Sequence, residues 1–370
     1  MPSSSAAPRR HGTRSSPLPV RLIIALFLLF IGFHASAQEE TQPAGDAKPL
    51  KLFESETELA LEIEAPWRRL IRDRSNEDPY PATLTWTDET GRTQSVPATV
   101  ERRGLTRQRV CDFPPIRLRI DKTDVKGTTF RGQKSLKMVT HCDKGKRWEQ
   151  YYVKEYLAYV LYNQVTDLSF RARPLEVRYV EAEGGSSQSG KFAFLIEDDS
   201  DVAKRNDLKK IDLFEIDPEQ LEPVTASEYA LFQLMIGNVD WSSLGGPGSE
   251  KCCHNAKLIG TDTQADLVAI PYDFDSSGIV DAHYAAPNDN LPIRYVTQRL
   301  FRGFCVHNPT LPAAREKFLG LETQMLEAVQ NLPQLSGRSV KVVSRYLEDF
   351  FDILKNDRSF EKNVIRKCRK

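Results

Sequence analysis

The residues best suited to chemistry lie between Gly237 and Gly278. They read Gly237-Asn238-Val239-Asp240-Trp241, then Cys253-His254-Asn255, then Pro271-Tyr272-Asp273-Phe274-Asp275-Ser276-Ser277-Gly278. Asp240 follows an apolar stretch and could take the proton of an attacking hydroxyl. Asn255 and Asp273 offer a neutral and an anionic oxygen, which suits Mg²⁺ or Mn²⁺ held against phosphates. Asp275 could add a second carboxylate to the same ion. One carboxylate for a proton, with an Asn and a carboxylate for a cation, is the set that phosphoryl transfer needs. The residues also have plainer readings. Asn, Asp and Gly favour turns, and His254 reads as a structural hydrogen-bonding residue. Two carboxylates at i and i+2 repel unless a cation or partner compensates, so Asp273 has the strongest functional case.

Two elements would position this set. An apolar helix through Tyr229, Phe232, Leu234, Met235 and Ile236 stops at Gly237 and delivers Asp240. Thr225-Ala226-Ser227-Glu228 reads as its capping box. A short buried strand, Leu267-Val268-Ala269-Ile270, delivers Asp273.

Upstream, 82–87 is β-rich and ends in a turn at 88–91. Ile116, Leu118 and Ile120 alternate with Arg117 and Arg119, the mark of a half-buried strand. In 135–139, Leu136 and Met138 share one face and Lys137 takes the other. Val153, Tyr156, Leu157, Val160 and Leu161 form one apolar stripe, which predicts a helix over 151–165. Strands follow at 175–180 and 192–196, with a Gly/Ser-rich loop at 184–190 and a charged connection at 197–207. Beyond Pro292 the pattern is helical, near 313–330 and 338–355. The order predicts an α+β chain with a strand-rich N-terminal lobe over 50–200 and a mainly helical C-terminal lobe over 201–370.

Residues 1–37 read as a secretory signal: an Arg-bearing start, the apolar run 22–33, and Ala35-Ser36-Ala37 as the cleavage site. Retention of this segment as an anchor is the alternative. Residues 38–49 read as a polar linker. Removing the signal takes away four arginines and no acid, leaving 47 basic against 51 acidic side chains. That balance gives no reason to expect nucleic-acid binding. No later segment is apolar and long enough to span a bilayer, so the mature chain is expected to be secreted or periplasmic.

All six cysteines, Cys111, Cys142, Cys252, Cys253, Cys305 and Cys368, lie beyond the signal. An even number in an exported chain favours disulfides. Cys252 and Cys253, being adjacent, are each expected to bond a distant partner and pin the loop between Asp240 and Asn255. The rival reading is a metal cluster of Cys252, Cys253 and His254, although zinc ligands are usually spaced by two to four residues.

Over roughly 100–278 the chain resembles the spore-coat-H (CotH) group of atypical secreted protein kinases. The resemblance is carried by Arg102-Arg103-Gly104-Leu105-Thr106-Arg107, by Leu136-Lys137, by Glu155 on its helix, and by Phe194-Leu195-Ile196-Glu197. Asn238-Val239-Asp240, His254-Asn255 and Pro271-Tyr272-Asp273-Phe274-Asp275 complete it. Pro114-Pro115 stands where the family has Lys-Lys. The resemblance implies a two-lobed, kinase-like fold that transfers the γ-phosphate of ATP to a Ser or Thr hydroxyl of a protein, with Mg²⁺ or Mn²⁺. It implies Asp240 as catalytic base, and Asn255, Asp273 and Asp275 as metal ligands. Lys137 would reach the nucleotide phosphates, oriented by Glu155. Arg117 and Glu197 would contact the nucleotide, Glu197 at the hinge between lobes. Taken alone, Lys137 and Glu155 read as solvated surface residues.

Two other functions compete. One is a degenerate kinase-like envelope protein that binds without transferring, since ATP is expected to be scarce outside the cytoplasm. The other is a calcium module, because Asp273 to Gly278 matches the first half of an EF-hand loop. That match fails at position twelve, which is Tyr284 rather than Glu. A G-x-S-x-G elbow and an H-E-x-x-H helix are both missing from the sequence, which argues against the corresponding hydrolases.

Overall fold

The computed structural model describes residues 51–74, 78–104, 106–143, 145–185, 187–248 and 250–370. The expected signal (1–37) and linker (38–49) lie outside the described residues, as does Leu105 of the Arg-rich motif. The N-terminal strands are β1 (Leu59–Ala65), β2 (Tyr80–Thr87), β3 (Thr93–Arg102), β4 (Ile116–Ile120), β5 (Ser135–Val139), β6 (Ala172–Glu181) and β7 (Gln188–Ile196). They close into a barrel in the order β1-β2-β3-β4-β5-β7-β6. Neighbours are antiparallel except β1 and β6, whose parallel pairing from Leu59↔Leu175 to Ala65↔Glu181 completes the ring. Alternation dictates which side chains go inside. Ile116, Leu118, Ile120, Leu136 and Met138 are buried in the barrel core, while Arg117 and Lys137 stand between them on the outer face. Mixed α+β architecture is therefore as expected. Closure of the strands into a barrel departs from the open sheet of a kinase lobe, because β1 and β6 each lack an edge.

Three helices decorate the barrel: α1 (Trp67–Arg72), α2 (Thr106–Val110) and the 20-residue α3 (Lys146–Val165). α3 is buried nearly all round, with Tyr152, Val153, Leu157, Tyr159 and Leu161 in the core. It lies against the outer face of β7, which explains why β7 is apolar on both faces. Ala193 and Leu195 enter the barrel, whereas Phe192, Phe194 and Ile196 join the core built around α3. That second core also takes in Phe232, Phe274, Phe318 and Phe350, so residues on either side of position 200 share it.

The remaining elements are α4 (Asp199–Arg205), β8 (Lys209–Ile211), α5 (Pro223–Ile236), β9 (Ala256–Gly260), β10 (Val268–Pro271), α6 (Leu311–Asn331), α7 (Gly337–Lys355) and α8 (Asp357–Asn363). β10, β9 and β8 form a small antiparallel sheet. α5 starts at Pro223, ahead of the expected capping box. Glu222 caps it by accepting from the N–H groups of Val224 and Thr225, while Glu228 is drawn off to Lys317 at 2.7 Å. Gly237 ends the helix with φ +64°, a conformation glycine adopts without strain. Among the described residues no helix is long and apolar enough to cross a membrane.

All six cysteines are paired. Cys111–Cys142 joins the start and end of the 111–142 segment, and Cys305–Cys368 ties the C-terminus back beside the bridge of Phe304 with Arg369. Cys252 and Cys253 bond each other, which corrects the expectation of distant partners. The other four sulfurs are already drawn together two by two elsewhere, so none is left for this loop. A metal cluster on Cys252, Cys253 and His254 is thereby excluded, because disulfide sulfurs are not thiolate ligands.

Candidate functional site

The β9–β10 hairpin gathers the site. Ala256 pairs with Pro271 at its open end, and Tyr272 N–H donates to Asn255 O at 3.1 Å. Asn255 just before β9 and Asp273 just after β10 thus come together despite their separation in sequence. Both have positive φ, +51° and +62°, which Asn and Asp tolerate better than most residues. Asp273 N–H donates to the Tyr159 hydroxyl of α3 at 3.0 Å, which seats this turn against the helix.

A second hydrogen-bonded link brings in Asp240. Ser242 and His254 exchange main-chain bonds of 3.0 and 3.1 Å. Asn255 Nδ2 then donates to Asp240 O at 2.7 Å and Oδ2 at 3.2 Å, and His254 Nε2 lies 2.7 Å from Oδ1. The Asp240 side chain keeps 44% exposure, so it stays open to a reacting group. Arg302 holds the loop from below, donating to Val239 O and, at 2.9 Å, to Trp241 O. The hydrogen bond to Asp240 raises the pKa of His254, and the charge of Asp273 adds to the effect.

Lys137 reaches the same region from the barrel. Its ammonium lies 5.1 Å from the centre of the Tyr272 ring, and Lys257 of β9 lies 5.4 Å from that ring. Tyr272 directly precedes Asp273, so two ammonium groups flank the residue beside the candidate cation ligand. Burial pushes Lys137 down to about 8; Arg103 and Lys257 add to this, while Asp199 and Asp198 oppose it.

Asp275 and Glu155 meet on Arg107 of α2. Arg107 Nη1 is 3.0 Å from Glu155 Oε2, and its Nε is 3.8 Å from Asp275 Oδ2. Tyr284 O–H also donates to Asp275 at 3.1 Å and Ser276 O–H at 3.2 Å. Burial pushes the Glu155 carboxyl up, and the Arg107 guanidinium opposes this by favouring the charged form. The expectation that Glu155 orients Lys137 is corrected: its ion pair among the described residues is with Arg107, which arrives from the motif just upstream. Arg117 is also committed, with Nε 3.5 Å from Glu101. Glu197 is buried and accepts from Arg205 at 3.1 Å and from the Arg171 N–H at 3.0 Å.

Asn255 and Asp273 are the residues here that could hold a divalent ion. Asn255 spends its amide N–H groups on Asp240, and its Oδ1 accepts no hydrogen bond among the described residues. Neither carboxylate oxygen of Asp273 accepts one there either. Burial and then the charge of Asp275 raise Asp273 to about 6, a strain that a cation would relieve. Asp275 is occupied by Arg107 and Tyr284 and is the weaker candidate. Among the described residues no three His, Cys, Asp or Glu side chains gather as a ready ligand group. A cation here would complete its shell with phosphate and water oxygens, as Mg²⁺ commonly does.

Arg107, Tyr159 and Lys257 carry much of this geometry and Arg103 adds positive charge near Lys137 and Asp273, yet type and spacing single out none of them as a site residue. The two arginines fell inside the quoted Arg-rich motif. Lys257 alternates with apolar neighbours, but Ala256–Gly260 is too short a pattern to announce β9. No family model matches this chain, and no curated protein matches it.

Proposed function

We propose that the chain is an exported CotH-like phosphotransferase, moving the γ-phosphoryl group of ATP to a Ser or Thr hydroxyl of a protein. The observation that supports it most is the pairing of Asn255 with Asp240 at the open end of the hairpin that also delivers Asp273. Proton acceptor and cation ligands then stand side by side, as phosphoryl transfer requires. In this reading Asp240 takes the proton of the acceptor hydroxyl. His254 and Asn255 hold its carboxylate in one orientation. Asn255 Oδ1 and Asp273 hold Mg²⁺ or Mn²⁺, which supplies charge neutralisation between the phosphates when bound. Lys137 and Lys257, fixed on Tyr272, offer positive charge to the nucleotide phosphates. The three disulfides fit export to an oxidising compartment.

A second reading, a kinase-like envelope protein that binds without transferring, draws support from Glu155 and Glu197. Both are spent on arginines rather than on Lys137 or an open hinge. The closed barrel supports neither kinase-like reading, so the phosphotransfer reading rests on the site and not on the architecture. Incubating the disulfide-intact protein with labelled ATP and Mn²⁺ separates the two. Transfer of label to the chain or to an added protein supports the enzyme. Nucleotide binding with no transfer under Mg²⁺ or Mn²⁺ supports the degenerate form. Binding of neither ATP nor a divalent ion removes both.

A further inference from the structure

A cavity of about 440 Å³ lies at one mouth of the barrel; Glu197 lines it, but Asp240, His254, Asn255 and Asp273 do not. It is bordered by the end of β4, the starts of β5 and β6, the end of β7, the 3-10 turn Leu52–Glu54, and α4. Its wall carries six cationic side chains against three carboxylates. The carboxylates are already taken. Glu54 serves Lys51 at 3.6 Å and Arg131 at 3.8 Å, Glu197 serves Arg205 at 3.1 Å, and Asp201 accepts from Gln133 at 3.4 Å. Lys122, Arg171 and Lys204 are left with no ion pair or side-chain hydrogen bond among the described residues.

Arg171 is the most telling of these. Its main-chain N–H donates to Glu197 Oε2, and its C=O accepts from the Glu197 N–H, both at 3.0 Å. The backbone is clamped while the half-buried guanidinium is uncommitted. Like charges converging on a concave wall repel one another unless an anion joins them. The geometry points to a binding site for a small multivalent oxyanion, one carrying two or more phosphate or carboxylate groups. A volume of this size is in the range of small-molecule pockets, roughly 300–1,000 Å³. A single negative charge would leave most of the excess uncompensated. Glu197, expected at a nucleotide hinge, here serves to hold Arg171 and Arg205 at the cavity wall. The site does not depend on the phosphotransfer reading, since Lys137, Lys257, Tyr272 and Asp273 do not line it.

The test is calorimetry on the disulfide-intact protein at low salt without divalent metal, using pyrophosphate, citrate and, as a monovalent control, acetate. At least one of the two multivalent probes is expected to bind at one site, and acetate is not. The double substitution Arg171→Ala/Lys204→Ala should weaken that binding tenfold or more, and Lys122→Ala/Lys204→Ala, both exposed side chains, should weaken it as well. Lys362→Ala, an exposed lysine of α8 outside this wall, should leave it unchanged. Thermal melts of each variant establish that it is folded. The proposal is overturned if neither multivalent probe binds, if acetate binds as well as they do, or if Lys362→Ala abolishes binding. It is overturned too if all the substitutions weaken binding equally, because the attraction would then be diffuse charge.

Discussion

Arg107 Nη1 lies 3.0 Å from Glu155 Oε2, and both side chains are almost wholly buried. The pair joins α2 to α3 beneath the candidate site, and Arg107 reaches on to Asp275. Removing one member leaves an uncompensated buried charge, which costs about 3–5 kcal/mol. Arg107→Ala should therefore lower the unfolding free energy by that amount, read as a fall in the urea midpoint at unchanged slope. Replacing both members together, as Arg107→Met with Glu155→Leu, should recover much of the loss. An Arg107→Ala protein as stable as the parent would mean that the pair contributes nothing.

The disulfides divide by the chain they enclose. Cys305 and Cys368 are 63 residues apart, so their bond restricts a long loop in the unfolded chain, about 4 kcal/mol by the chain-entropy relation. Cys252 and Cys253 are adjacent and close no loop of that kind. Cys305→Ser with Cys368→Ser is expected to be strongly destabilising, and Cys252→Ser with Cys253→Ser much less so. Thiol counting on denatured, unreduced protein should find none free. Six reactive thiols in exported protein would refute the pairing.

Local elements were legible because local pattern decides them. β4 and β5 alternate cleanly, and the structure has them at the expected residues, Ile116–Ile120 and Ser135–Val139. α6 and α7 lie within two residues of their expected bounds. α3 begins five residues early, since its first turn shows no apolar stripe. The barrel was not legible, because its closing pair sets β1 against β6 across more than a hundred residues of chain. Candidate residues on recognisable elements, such as Asp240 and Asp273, could be named from type and spacing. Partnerships could not: Glu155 meets Arg107 through tertiary packing that no spacing encodes. Adjacency of Cys252 and Cys253 argued for distant partners, and it failed once the other cysteines proved to be paired among themselves.

His141 gives the fold a pH dependence. It stacks on Phe113 with ring centres 4.4 Å apart, and its Nδ1 has no hydrogen-bond partner among the described residues. Burial, with a smaller push from Lys191, drives its pKa down from 6.5 to about 4. Between those values the unfolded chain binds the proton and the folded one does not, so stability rises with pH across that window. It is full above about 6.5 and falls as pH drops toward 4, by on the order of 3 kcal/mol if the whole shift is realised. His141→Phe keeps the aromatic stack and removes the titration. Urea unfolding at pH 5 and 7.5 should show a smaller difference for the variant than for the parent; equal differences would exclude His141 as the source.

The carboxylates of the candidate site should respond differently from each other. Asp273→Ala removes an open ligand and the charge that offsets the cation, so metal-dependent ATP binding and transfer should be lost together. Asp240→Asn keeps the shape and can still bond His254 and Asn255, yet it cannot accept a proton. ATP affinity should stay nearly intact while turnover falls by ~10²–10⁴-fold, the usual contribution of a general base. Transfer should prefer Mg²⁺ or Mn²⁺ over Ca²⁺, whose larger, looser shell positions phosphates poorly. The calcium module requires the reverse: tight Ca²⁺ binding, no nucleotide, and indifference to Asp240. Calorimetry with ATP and each metal, followed by label transfer on the same variants, decides between them. If Asp240→Asn weakens nucleotide binding as much as Asp273→Ala does, Asp240 belongs to the binding site and not to the proton transfer.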